Sequence, residues 1–365
     1  MWLREMKILA LDIGAGTQDI LLYDEGKGSI ENCVKLVLPS PSLLFAEKVR
    51  KATLLCKDIF VKGAVIGGGA FAHALKRHVE SGLRVFITEH AAYTIRNDLD
   101  EVREMGIDIV HQEEELENFD GEILEIEEVN IRTLERFLAE FGESLSDVDV
   151  VAVAVQDHGV FPKGMSNRRF RIQKMKELLK ENPRPEALAF AEDEIPSYYL
   201  RMKSAALASK RQLPNAKILL MDTSADAILG CLKDPVAEKA NLILAINVGN
   251  GHTIAAIILN GNIMGLMEHH TRTLLSRQKI EGLLVNFADG KLSDEEVFKD
   301  NGHGLFFLAE PPGFHKIEKV IVTGPNRSIL AKTNLSVHFA TPAGDVMMTG
   351  PIGLVMATER KFKLG

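Results

Sequence analysis

KILALDIGAGTQDILLY, residues 7–23, is the stretch whose reading decides the fold. Residues 7–11 form an apolar run suited to a buried strand, and Asp12 ends it. Ile13-Gly14-Ala15-Gly16-Thr17 then makes a tight turn almost free of side chains, and residues 19–23 give a second strand. Glycines at such a turn let the backbone take positive φ and let N–H groups come close to a ligand. Successive N–H groups facing one concavity form an anion nest. Asp12, at the strand end, is placed to hold Mg²⁺ directly or through water, because hard cations prefer oxygen ligands. Taken alone, the stretch reads equally well as an ordinary glycine-containing hairpin.

A second copy changes the balance. Residues 244–261, LAINVGNGHTIAAIILNG, align without gaps with residues 9–26, LALDIGAGTQDILLYDEG. Leu9, Ala10, Gly14, Gly16 and Gly26 meet Leu244, Ala245, Gly249, Gly251 and Gly261, while Asp12 meets Asn247. Two strand–turn–strand units in separate halves imply a duplicated architecture with a ligand between the copies, which a single copy would not.

The 365 residues are enough for about two domains. With 46% hydrophobic and 26% charged residues the chain can fill sizeable cores. A net charge of −8 disfavours nucleic acid and anionic membranes as partners. No signal peptide and no membrane span are expected, since Asp12 interrupts the first apolar run and no other approaches about 20 residues. Cys33, Cys56 and Cys231 are few and scattered, which suits a reducing cytoplasm and buried structural thiols, and excludes a local iron–sulfur or zinc motif.

Along the chain, strands alternate with helices. Ser42 is expected to cap a helix to about residue 56, and Gly67-Gly68-Gly69 lies between a strand and a helix, as a tight turn or a phosphate cradle. Residues 89–105 read as one helix, and the acidic run 112–118 as solvated surface. Residues 148–155 form a β-branched strand ending in Gln156-Asp157-His158-Gly159, a place where α/β sheets commonly bind ligands. Lys163, Arg168, Arg169 and Arg171 read as a basic helix start set against the acidic surface, or as an anion site. Asp222 or Thr223 caps a helix whose Ala225 and Ala227 permit close packing. Residues 271–288 read as a long helix, and 345–358 as a small-residue-rich helix kinked by Pro351. Metal chemistry from Glu268-His269-His270 with His252 is weakened because adjacent residues of an extended segment point to opposite faces.

Five segments, in order, resemble the motifs of the superfamily of acetate and sugar kinases, heat-shock chaperones and actin. Residues 12–19 resemble its first phosphate loop, 222–230 the first connecting helix and 247–253 the second phosphate loop. Residues 320–326 resemble the adenosine-side strand and turn, and 345–357 the second connecting helix. Residues 151–159 are similar to a sugar-kinase strand ending near the substrate. The resemblance implies an α/β, two-lobed, duplicated actin-like ATPase (ribonuclease H-like) fold with a nucleotide cleft between the lobes. Residues 1–215 would be the first lobe, with the helix at 345–365 packing back on it, and 216–344 the second.

It further implies ATP and Mg²⁺, held by Gly14, Ala15, Gly16 and Thr17 and by Asn247, Gly249, Asn250, Gly251, His252 and Thr253, with Gly324, Pro325 and Asn326 beside the adenosine. Asp12 would orient the metal and Asp157 would act as general base. The chain is most similar to a mainly archaeal branch labelled as pyruvate formate-lyase activating enzymes, a label the isolated cysteines do not support. Two departures stand out: Asn247 and His252 replace an acidic and a small hydroxyl residue, and Pro325-Asn326 replaces glycines. The expected function is a cytoplasmic phosphotransferase or ATPase acting on an unidentified small molecule or protein. A non-catalytic nucleotide-dependent switch or assembly protein is the alternative, with a homodimer left open.

Overall fold

The computed structural model describes residues 5–111 and 119–362; the acidic run at 112–118 lies outside the described residues. Strands β1 (Lys7–Ile13) and β2 (Thr17–Asp24) pair antiparallel from Lys7↔Asp24 to Ile13↔Gln18, and β3 (Val34–Pro39) adds to β2. Asp12 does not end β1 but sits inside it, opposite Asp19. Ile8 and Ala10 enter one hydrophobic core while Leu9, Leu11 and Ile13 enter another. Burial on both faces is why the strand is a continuous apolar run instead of an alternating one.

An insertion comes next, with its own sheet. Helix α1 (Pro41–Leu54) leads to β4 (Ile59–Gly63), α2 (Gly69–Glu80), β5 (Val85–Thr88), α3 (Glu89–Ala92), α4 (Leu99–Glu104), β6 (Ile107–Val110) and β7 (Glu122–Ile126). The sheet order is β6-β5-β4-β7, all parallel, around a core containing Val49, Phe71 and Ile87. The single helix expected at 89–105 is broken, and the residues between α3 and α4 instead line a cleft. Ser40, not Ser42, caps α1; the Ser42 hydroxyl donates to Gly68 O and accepts from Phe71 N, tying α1 to the glycine turn.

The chain then returns to the first sheet. After α5 (Ile131–Ala139), β8 (Val150–Val155) runs parallel to β1. Next come α6 (Asn167–Glu181), β9 (Ala189–Ala191), α7 (Leu200–Gln212) and β10 (Lys217–Met221), which is parallel to β8. Strand order is β3-β2-β1-β8-β10-β9. Dividing the chain at 215/216 therefore cuts β10 from its partner: Pro214 punctuates the sequence, but backbone pairing keeps residues 217–221 in the first sheet. Helix α8 (Thr223–Cys231) comes directly after β10.

The second half repeats the plan. Strands β11 (Leu242–Val248), β12 (His252–Leu259) and β13 (Asn262–His270) form an antiparallel meander. Helices α9 (Arg277–Ala288) and α10 (Asp294–Lys299) precede β14 (Gly304–Phe307), β15 (Lys319–Thr323) and β16 (Val337–Phe339), and α11 (Thr349–Phe362) closes the described chain. The order is β14-β13-β12-β11-β15-β16, with β15 parallel to β11 and β16 parallel to β15. Thus β3-β2-β1-β8-β10 and β13-β12-β11-β15-β16 share one order and one set of directions. Residues 271–276 do not join α9, because a 3₁₀ turn at Thr271–Thr273 comes first. The break Pro351 demands falls at the switch from the 3₁₀ turn Val346–Met348 into α11. That leaves the proline in the first helical turn, where its missing N–H is tolerated.

Helices α8 and α11 pack closely on one another between the sheets. A Cβ at Gly230 would lie 1.8 Å from Thr349 O, and one at Gly353 1.9 Å from Asp226 O, so only glycine permits this approach. Helix α11, which comes after the second sheet, packs on β1 and β8, and α8, which comes after the first, packs on β11 and β15. No described helix is long and apolar enough to cross a membrane. Cys33 and Cys231 are buried, but Cys56, expected to be buried, is exposed at the end of α1.

Candidate functional site

The two glycine turns are built alike. Gly14 N–H donates to Thr17 O at 2.9 Å, and Gly249 N–H to His252 O at 3.0 Å. They also meet: a Cβ at Gly16 would lie 2.4 Å from Asn250 Nδ2, and one at Gly251 3.4 Å from Ala15 Cβ. Between the lobes lies a cleft of about 450 Å³, lined by Asp12, Gly14, Ala15, Thr17, Asn247, Gly249, Asn250, Gly251, His252, Gly324 and Pro325. Three expected residues serve from behind. Gly16 abuts Asn250; Thr253 is buried, its hydroxyl 3.0 Å from that of Thr271. Asn326 donates from Nδ2 to Gly249 O at 3.0 Å and from its backbone to Val248 O, propping the second turn. Gly324, at φ +95°, packs where a Cβ would strike Asn247 Oδ1 and Val248 O at 2.5 Å.

Beneath the first turn lie three carboxyl groups, each with one enclosed oxygen that lacks a partner. Asp12 Oδ1, Asp19 Oδ1 and Asp226 Oδ2 are enclosed without a hydrogen bond. Burial, then the neighbouring Asp19 and Asp222, push the Asp12 carboxyl well above its ordinary value. Burial and Asp12 do the same to Asp226, and Asp19 is raised to about 7, chiefly by burial. Helix α11 closes over them, a Cβ at Gly350 falling 2.1 Å from Asp12 Oδ2. Asp226 does not stand out in the sequence; its signal is an acidic residue within the otherwise small and apolar α8.

The opposite end of the cleft is held by ion pairs that cross the molecule. Arg171, read as part of a basic surface, is fully buried. It grips Asp222 through two nitrogens at 2.5 and 2.8 Å and Glu268 through Nε at 2.8 Å. Glu268 also accepts from Gln156 Nε2 at 2.7 Å. Burial alone would raise the Glu268 carboxyl, but Arg171 foremost holds it well below the usual range. Arg201 is bidentate to Glu128, both contacts at 2.8 Å, and Glu128 also takes the Gly67 N–H, so that triple-glycine amide is already used within the protein. Asp157 accepts N–H bonds from Gly159 at 2.8 Å and Met202 at 3.1 Å. Expected to be a general base, it has an oxygen committed to each of two backbone amides, because the chain must turn sharply after β8. His158, His252 and His303 gather nearby, with ligand atoms within 4.8 Å of one another. His269 points away to Asp300 and Thr273, as extended-strand geometry requires.

Two sheets that share a five-strand order, two helices packed together between them and a cleft between paired glycine turns define an actin-like ATPase fold. Residues 66–329 match the family described as "Putative pyruvate format-lyase activating enzyme (DUF1786)", and the chain belongs to that family. A search of curated proteins found no match. Among solved structures, a ROK hexokinase from Thermus thermophilus is 13% identical, covering 71% of this chain and 47% of its own, at a TM-score of 0.25. The match thus spans about half the length of that hexokinase. A Listeria monocytogenes protein described as "a putative N-acetylmannosamine kinase" is 10% identical, covering 98% and 99%, at 0.36. A Bacteroides thetaiotaomicron protein "with actin-like ATPase fold and unknown function" is 10% identical, covering 96% of each chain, at 0.37. The strand order and the packing of α8 against α11 in this chain define the fold.

Proposed function

We propose that the chain binds a nucleoside triphosphate, ATP, with Mg²⁺ between its two glycine turns and transfers or hydrolyses the terminal phosphoryl group. The observation that carries this reading is the meeting of two equivalent turns above buried, unpartnered carboxylate oxygens. Backbone N–H groups at Gly14–Thr17 and Gly249–Thr253 would hold the phosphates from both lobes. The residues fit a hard cation: burial with Asp19 and Asp222 raises the proton affinity of Asp12, burial with Asp12 raises that of Asp226, and both leave an oxygen without a partner, a cost that a divalent ion would offset. Asp12 would hold Mg²⁺ with Asp226 in support, and the ion would supply neutralisation of phosphate charge.

An acceptor, small molecule or protein, would enter the end of the cleft lined by Asn97, Gln156 and His158. Asp157 shapes that end by anchoring Gly159 and Met202. Closure of the lobes would exclude water from the reacting group. The activating chemistry in the family description requires clustered cysteines. Cys33, Cys56 and Cys231 form no such group, so no step is assigned through an iron–sulfur centre. Calorimetric titration with ATP and Mg²⁺ tests the reading: binding with one nucleotide per chain is expected, and absence of heat at millimolar nucleotide with folded protein would overturn it.

A second reading, a nucleotide-dependent switch without turnover, is favoured by Asn247, which lacks the charge to activate a metal-bound water. It predicts tight nucleotide binding with negligible phosphate release.

A further inference from the structure

We propose that His158, His252 and His303 together bind one divalent d-block ion of the zinc class, and that this ion joins the two lobes. His158 lies just after β8 of the first sheet. His252 begins β12, and His303 immediately precedes β14, both in the second sheet. Ring centroids lie 5.2 Å apart for His158 and His303, 4.8 Å for His252 and His303, and 6.1 Å for His158 and His252. All three offered nitrogens lie within 4.8 Å of one another. Three nitrogens about 2.0 Å from a tetrahedral ion stand about 3.3 Å apart, so a small inward movement completes the shell.

His303 supplies the independent observation. It is fully buried, and neither ring nitrogen has a hydrogen-bond partner. An imidazole enclosed without partners is costly in a folded core. Its Nδ1 lies 3.4 Å from Glu268 Oε2, a charge contact that fixes that side of the ring and leaves Nε2 to carry an ion. A carboxylate behind the far nitrogen is how metal-bound histidines are commonly oriented. Charge agrees: Arg171 is outnumbered by Asp222 and Glu268, so one negative charge is left over in the dry region behind the histidines. His270 pairs with His252 across the strands, its ring 4.9 Å away, but its Nδ1 is engaged by Asn301 O.

Three imidazoles favour zinc, cobalt, nickel or copper over magnesium or calcium, which take oxygen. With three protein ligands the ion keeps an open position, as in catalytic sites. His158 and His252 line the interlobe cleft, so that position would face it. This site is distinct from the Asp12 and Asp226 carboxylates.

The test uses untagged full-length protein, stripped with chelator and titrated with Co²⁺ and then Zn²⁺. One equivalent of Co²⁺ should give the intense visible absorption of a tetrahedral site, displaced by Zn²⁺. His303→Gln should weaken Zn²⁺ binding at least a hundredfold. His252→Gln, at a half-buried position in the cleft wall where the fold is less at risk than at fully buried His303, should do the same. Asp12→Asn should leave the Co²⁺ spectrum unchanged. Octahedral-type weak absorption, less than a tenth of an equivalent of Zn²⁺ bound at the end of the titration, or Zn²⁺ affinity unaltered in His252→Gln would overturn the proposal.

Discussion

Residues 9–26 and 244–261 share a bend, a hydrogen bond and a place in the strand order, yet their chemistry has diverged. The first turn carries Asp12 before it and Thr17 after it, with Asp19 and Asp226 buried close by. The second carries Asn247 and His252, and its surroundings hold imidazoles and the Glu268 carboxylate paired with Arg171. Duplication therefore preserved a backbone able to grip an anion while the side chains beside each bend diverged: unpartnered carboxylate oxygens surround the first, and ring nitrogens, His158 of the first lobe among them, gather at the second. A closed backbone bend depends on glycine and on strand register, whereas the side chains beside it can change without moving the chain.

That contrast can be broken at its widest point. Asp12→Asn should lower nucleotide turnover by about a hundredfold to a thousandfold, as expected for losing an oriented charge in the site. Asn247→Asp, making the second copy like the first, should raise phosphate release without tightening binding. Equal losses from both exchanges, read by steady-state phosphate release, would show that the copies are not functionally divided.

The link between the halves comes next in size. Arg171→Met leaves Asp222 and Glu268 buried and unpaired, and should cost about 3–5 kcal/mol of stability in denaturant unfolding. A loss below about 1 kcal/mol would mean the triad is not dry.

A smaller effect separates the turns themselves. Gly16→Ala drives a methyl group into Asn250 and should weaken nucleotide binding several-fold, while Gly251→Ala meets Ala15 at ordinary contact distance and should change little. Similar affinities for both variants by calorimetry would show that the turns move freely apart.

The gentlest probe is pH. Asp19 is raised from 3.8 to about 7, and Asp12 and Asp226 are raised well above their ordinary values. The folded chain thus retains protons that the unfolded chain has released. Their contribution to stability is intact below about pH 4 and is lost as pH climbs towards 7 and beyond. Metal-free protein should melt a few degrees lower at pH 8 than at pH 5.5, with Mg²⁺ restoring more at pH 8. An equal effect of Mg²⁺ at both values would argue that the carboxylates do not hold it.

Much of this fold is readable from the chain alone. Continuous apolar runs at β1, β8, β10, β11 and β15 announce strands buried on both faces, and paired glycines announce the turns. Features set by partners distant in sequence are less legible. The 89–105 segment has helical composition, yet it breaks so that residues 93–97 can line the cleft. Arg171 resembles its basic neighbours in sequence, but only the approach of α8 and β13 makes it a buried clamp. Asp157 reads as a base in sequence, and only the folded chain shows that it also anchors the backbone amides of Gly159 and Met202.

Local sequence by itself determined the duplicated strand–turn–strand units and the small residues of α8 and α11, because strand burial and glycine geometry depend on near neighbours. Tertiary structure alone decided which charges meet. The Asp12–Asp226 pair, the Arg171 triad and the three histidines each join residues from different elements. Electrostatic energy depends on distance in space and on water excluded by packing, neither of which is written along the chain.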